Sequence, residues 1–319
     1  MKITAAFLLA GTALLAPIAA AQQITVYSAG PENLAEPLAR GFEKQTGIKV
    51  NLFQGTTGNV LARYESERNN PHADVVILAS WPAAAALKTR GDLVGYVPPN
   101  AKTVPAFLKD EYFVAQGVGA LTLVWNSKSG KPRPADWADL VKPEYRDAMT
   151  MPDPAQSGSA YDLVAGLVKN RGDAAWSWLG DLKKNGLIAP GANAQALNPV
   201  LQGAKAVTVG AVDYLALAAR HKGESIEVIY PSSGTILAPR PMMIPKSSKN
   251  QDAARRFVDY ALSNEGQQMV AQIFLMPART DIKLDRPGIN SIKALEAETD
   301  ESPELRKRIL DRFRTTMGK

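Results

Sequence analysis

After residue 22, apolar and polar positions alternate in short β-rich runs separated by segments of helical period. "QITVYSAG" reads as a strand broken by glycine, and "NLAEPLARGFEKQTGI" has the period of a helix. "KVNLFQG" reads as a second strand, "TTGNVLARYESERNN" as a second helix and "ADVVILAS" as a third strand. Strand, helix, strand, helix, strand predicts parallel strands joined by crossover helices, hence an α/β sheet. Ligands of such sheets lie beyond the carboxyl ends of the strands, which singles out the loops at 28–32, 55–59 and 80–82.

Farther on, "GVGALTLVWNSK" is strand-like and leads into "SGKPRPADWADLVKPEY", a Pro-rich, charged stretch that reads as a crossing between lobes. A second α/β run follows through "AMTMPDP", a helix after "QSGSA", "AAWSWLGDLKKNG", "NPVLQGAKAVTVGAVDYLALAARHKG" and "SIEVIYP". "SSGTILAPRPMMIPKSSKN" reads as another break before the helical "QDAARRFVDYALSNEGQQMVAQ". Near the end, Leu305, Ile309, Leu310 and Phe313 recur at helical spacing and predict an amphipathic surface helix. The expected organisation is two α/β lobes, 22–124 plus 239–319 and 125–238, with a ligand cleft between them.

The first residues, "MKITAAFLLAGTALLAPIAAAQQ", combine one lysine, an apolar run and small residues at Ala19 and Ala21. This predicts a signal peptide over 1–21, cleaved near Ala21, and export to the periplasm. The sequence has no cysteine, which excludes disulfides, thiolate metal sites, cysteine nucleophiles and a lipid-bearing N-terminal cysteine. The formal charge is +6. That modest balance fits an anionic small ligand better than nucleic acid, which needs a clustered basic stripe.

The stretch "DPAQSGSA" at 153–160 admits two readings. Ser159 can cap a helix, with Asp162 three residues later completing a capping box. Alternatively, Gln156, Ser157, Gly158, Ser159 and Ala160 form an anion site at the positive end of the helix dipole. "GTTGN" offers Gly55, Thr56, Thr57 and Gly58 at the end of a strand, with Thr57 as the expected cap, and "SSGT" offers Ser233 and Thr235. Ser28, Ser80 and Trp81 stand on the other strand-end loops, where Trp81 can stack on a ligand or simply pack. Asp213 beside Tyr214 either caps the helix "YLALAARH" or meets the end of the ligand away from its anionic group. Arg240 and Arg279 can bind a phosphate bidentately, although nothing local fixes their direction. His72 and His221 read as loop or helix-end residues, and Trp176 and Trp178 as packing residues. There is no G-x-S-x-G elbow, H-E-x-x-H or Walker loop. Catalysis therefore finds little support, and no enzyme, cofactor or metal is expected; a periplasmic hydrolase is the alternative from another class.

The segments "YSAGPENLAEPLARGFEKQTGIKV", "ADVVILAS", "LVWNSK" and "SKNQDAARRFVDYALSNEGQQMVAQ" together resemble the extracellular solute-binding proteins of ABC importers, of the ferric-binding-protein type. The resemblance implies a two-lobed, type II periplasmic binding protein fold that closes on its ligand and delivers it to an inner-membrane permease. Iron-binding members carry a histidine in the first loop, an acid after the third strand and adjacent tyrosines in the second lobe. Here the loops read "SAGPE" and "LASW", and Tyr214 stands beside Leu215. Glu32, Asp213 and Tyr214 are the donors left for ferric iron, the alternative ligand. The hydroxyl-glycine loops resemble instead the branch that binds sugar phosphates, phosphoglycerate or aminophosphonates. A monomer without nucleic-acid partners is expected.

Overall fold

The computed structural model describes residues 22–300 and 302–318, so the expected signal segment lies outside the described residues. The chain opens with β1 (Gln23–Ser28), α1 (Glu32–Thr46), β2 (Lys49–Gln54), α2 (Thr57–Ser66), β3 (Val75–Ile77) and α3 (Trp81–Thr89). β1 pairs in parallel with β2 on one side and β3 on the other, as the alternating pattern requires. The helical period of α1 buries Leu34, Leu38 and Phe42 on one face. Gly47 ends it at φ 71°, a left-handed conformation that favours glycine.

Next come β4 (Phe113–Asn126), β5 (Met149–Thr150), α4 (Gly158–Arg171), α5 (Asp173–Lys184), α6 (Asn193–Leu201), β6 (Val207–Val212), α7 (Asp213–His221) and β7 (Ile226–Ile229). The chain then returns through β8 (Leu237–Met243), α8 (Gln251–Ala261), α9 (Asn264–Gln272) and β9 (Met276–Pro277) to α10 (Pro303–Met317). β4 is common to both halves. Residues 113–120 pair antiparallel with β8, and residues 121–126 pair with β6 and β7. β8 also pairs with β3, which places β8 in the interior of the first sheet.

Two expectations change here. The stretch "SSGTILAPRPMMIPKSSKN" is no simple break, because it contains β8. Pro239 and Pro241 lie within β8 and cannot donate to a ladder, and the register of β4 slips opposite them, between Ala115 and Val118. The C-terminal residues also do not all belong with the first lobe. Leu305, Ile309, Phe313 and Met317 are buried, and α10 packs on α4 and α5 of the second. Arg312 pairs with Asp173 at 2.7 Å, and Thr235 bridges to Ala294. The segment from about 293 onward therefore runs along the second lobe.

Candidate ligand cleft

Helix starts from both halves converge on one seam. Ser157 caps α4, its Oγ accepting from the Ala160 N–H at 3.2 Å, and Thr56 caps α2, accepting from the Asn59 N–H at 3.2 Å. Both residues hold extended backbone angles, which a cap requires. Ser159 and Thr57 are thus not the caps. Thr57 Oγ1 instead accepts from the Ala79 N–H at 3.2 Å. Asn193, at the start of α6, donates to Ser157 Oγ at 2.9 Å and Ser159 Oγ at 3.1 Å. A Cβ on Gly158 would sit 2.7 Å from the Ala79 carbonyl oxygen and from Thr57 Oγ1, and one on Gly58 would sit 3.0 Å from the Ala155 carbonyl oxygen. Only glycine permits loops 55–59 and 155–160 to approach so closely.

Asp162 is not a capping-box residue either. It is buried, accepts from Ser80 Oγ at 2.7 Å and takes the Trp81 backbone N–H, so it caps α3 from the opposite half of the molecule. Burial pushes its carboxyl up to about 7, against the opposing pull of those bonds and of Arg306.

Arg240, 4% exposed, lies at the floor. It donates to the Ala29 carbonyl at 2.9 Å and the Tyr214 hydroxyl at 2.6 Å, and its guanidinium lies 5.1 Å from the Tyr214 ring centre. No carboxylate among the described residues forms an ion pair with it. Nearby, Ser28 Oγ accepts from the Gly30 N–H at 3.0 Å, and the Ser28 carbonyl accepts from the Gly55 N–H at 3.1 Å. Gln54 Nε2 and Asn193 Oδ1 are buried without a partner. A groove of about 900 Å³ is lined by Pro31, Glu32 and Asn33, which follow the loop after β1, and by Ala194 and Leu215, the chain neighbours of Asn193 and Tyr214.

Residues 70–295 match the family model described as bacterial extracellular solute-binding protein. The chain belongs to this family. This solute-binding protein is 26% identical over 298 residues to a periplasmic protein of Salmonella typhimurium assigned to 2-aminoethylphosphonate binding, covering 88% of this chain and 87% of that one. It is 27% identical over 288 residues to the major ferric iron-binding protein of Neisseria meningitidis, covering 86% of each. Among solved structures it is similar to the periplasmic binding protein AfuA from Actinobacillus pleuropneumoniae with fructose 6-phosphate bound. The TM-score is 0.86 at 22% identity, over 94% of this chain and 99% of that one. The fold is the two-lobed type II periplasmic binding protein fold, and the protein is the periplasmic binding component of an ABC importer.

In this solute-binding protein the seam gathers Ser28, Gly55, Thr56, Thr57, Gly58 and Ser80 with residues 156–160. Other expected site residues are engaged elsewhere. The Ser233 hydroxyl donates to Asp136 at 2.7 Å on the surface, and Thr235 donates to the Leu121 carbonyl where the chain passes between halves. Trp81 packs edge-on against Phe113, with ring centres 4.8 Å apart. Asp213 is fully buried in an ion pair with Arg286 and accepts from the Tyr214 N–H at 2.8 Å, so it does not face a ligand. Arg279 is held by Asp281 and the Leu262 carbonyl. The suggested iron donors are not assembled: Glu32 is exposed, Asp213 is paired, and burial pushes the Tyr214 phenol up, opposing phenolate formation. Among the described residues no three His, Cys, Asp or Glu side chains are grouped for a metal. Sequence reading missed Asn193, Gln54 and Arg286. Isolated polar residues carry no periodic signal, and only the tertiary structure shows where these three stand and which of their polar atoms are buried.

Proposed function

We propose that this protein captures a small phosphate ester or phosphonate in the cleft between its lobes and presents it to an inner-membrane ABC permease. The observation that carries this reading is Arg240, a buried guanidinium with hydrogen-bond acceptors but no carboxylate partner among the described residues. A buried charge is costly unless paired, and an anionic ligand supplies the missing partner. The N-termini of α2, α4 and α6 add partial positive charge and small polar donors at the same seam. The names of the aminophosphonate-assigned relative and of the fructose 6-phosphate complex point the same way. The role assigned to residues 28, 54–58, 156–160, 193, 214 and 240 rests on this arrangement.

In the proposed cycle the lobes pivot where β4 enters the second half at Leu121 and the chain returns at Ile236. Their backbone groups are hydrogen-bonded at 3.1 Å, so this short connection holds the halves together while they move. Ligand bridges loops 55–59 and 155–160 and stabilises the closed form. The chain works as an exported monomer with its leader removed near Ala21, performs no reaction on its cargo and needs no nucleic acid.

A thermal-shift panel tests the reading, with 2-aminoethylphosphonate, glucose 6-phosphate, phosphoglycerate, inorganic phosphate and ferric citrate. At 100 times Kd a true ligand adds about 2.7 kcal/mol. A phosphorus-containing ligand is expected to raise the midpoint of the natural protein. Arg240→Met should lose that binding by about 1.5–3 kcal/mol, the worth of a charged hydrogen bond. A shift with ferric citrate alone overturns the proposal.

A further inference from the structure

We propose that Gln116 is a specificity-determining residue of this cleft, accepting a hydrogen bond from an ammonium or hydroxyl group that the ligand carries beside its anionic phosphorus group. The inference rests on the phosphate-ester or phosphonate reading and narrows it.

Pro239 faces Val118 and Pro241 faces Ala115, and β4 inserts Gln116 and Gly117 between the paired positions. Such a bulge re-aims a side chain out of the regular alternation. Gly117 is taken up by pairing with Pro277 of β9. The Gln116 backbone carbonyl accepts from Gln267 Nε2 at 2.9 Å, which anchors the bulge from behind. Its side chain is directed at the loop that follows β1: Gln116 Oε1 lies 3.8 Å from where a Gly30 Cβ would stand, a point also 2.9 Å from Ser28 Oγ.

This is the loop whose Ala29 carbonyl receives Arg240. Gln116 is only 1% exposed, and its Oε1 is buried with no hydrogen-bond partner. A buried acceptor left unpaired is destabilising, and a site can recover that loss when a bound molecule brings the donor. The floor therefore joins a fixed cation to a neutral acceptor. Arg240 selects negative charge, whereas Gln116 selects a hydrogen that a bare oxyanion lacks. Ligands with an amine or hydroxyl near the phosphorus group satisfy both, and their alkyl analogues satisfy only the first.

The test compares ligands of equal size by calorimetry: 2-aminoethylphosphonate, 2-hydroxyethylphosphonate and propylphosphonate, with glucose 6-phosphate and hexyl phosphate as a longer pair. The natural protein is expected to bind at least one donor-bearing compound at least tenfold more tightly than its alkyl counterpart. Comparison of the amine with the alcohol identifies the donor. Gln116→Met should erase that ratio while leaving the alkyl compound's affinity within about twofold, consistent with loss of one hydrogen bond. Gln116→Glu keeps an acceptor oxygen and should retain the ratio even where repulsion weakens every anion, so it reports on the acceptor if the methionine variant fails to fold. A natural protein that binds donor-bearing and alkyl compounds equally overturns the assignment to Gln116, as does an equal weakening of both by Gln116→Met. Binding of none of the five would overturn the anion reading itself.

Discussion

Asp213 and Arg286 lie 73 residues apart and share a site from which water is excluded, with side chains 0% and 2% exposed. The Tyr230 hydroxyl donates to Asp213 at 3.3 Å and in turn accepts from Arg286 at 3.0 Å. Burial pushes the Asp213 carboxyl up, with the Arg286 guanidinium opposing it. Removing one member strands the other, so Arg286→Met should destabilise the fold by about 3–5 kcal/mol in urea melts. The double change Asp213→Asn with Arg286→Met should recover much of that loss, because it removes both charges. At this scale the sequence identified residue types but not their partners. "VDYL" drew attention to Asp213 as a ligand contact, whereas Arg286, nowhere near it in sequence, claims the carboxylate. Likewise "QSGSA" was legible as a helix start, but the cap is Ser157 because the backbone remains extended there.

The pairing of α3 with Asp162 shows how elements depend on one another across the seam. Ser80 occupies the N-cap position of α3 without capping it, because its hydroxyl serves Asp162 of α4. With its carboxyl raised to about 7 from an unfolded value near 3.9, Asp162 binds a proton more tightly in the folded protein. Its contribution is full below the unfolded value and is lost as pH rises through about 7. Natural protein should therefore lose stability relative to Asp162→Asn between about pH 4 and 7, seen as converging or crossing thermal midpoints. A constant difference across that window would contradict the assignment. Element patterns were read well from β1 to β3, where short β-rich runs alternate with helices that each bury one apolar face and β1 and β3 lie between two core clusters. They failed at β8, because prolines ordinarily punctuate a chain, and this strand tolerates them only by displacing its neighbour.

For the whole molecule, the C-terminal helix decides how the second lobe is covered. Leu305, Ile309, Phe313 and Met317 bury against α4 and α5, at about 1.5–3 kcal/mol for each large apolar side chain. Truncation before Pro303 should remove more than about 5 kcal/mol and lower the thermal midpoint sharply, an outcome measurable by circular dichroism. Ligand closure belongs to the same scale. Small-angle scattering should show a smaller radius of gyration with the stabilising ligand than without it, and an unchanged radius would argue against the pivot at Leu121 and Ile236.

The sequence by itself determined the alternation of strands and helices, the polar strand-end loops, the absence of cysteine chemistry and the resemblance to importer binding proteins. These are local or cumulative properties, encoded in periodicity and composition. Tertiary structure alone decided that Asp213 turns to Arg286, that Arg240 remains without a carboxylate partner among the described residues, and that α10 joins the second lobe. The reason is physical: burial determines which charges need partners, and burial arises from contacts between residues that the chain order leaves far apart.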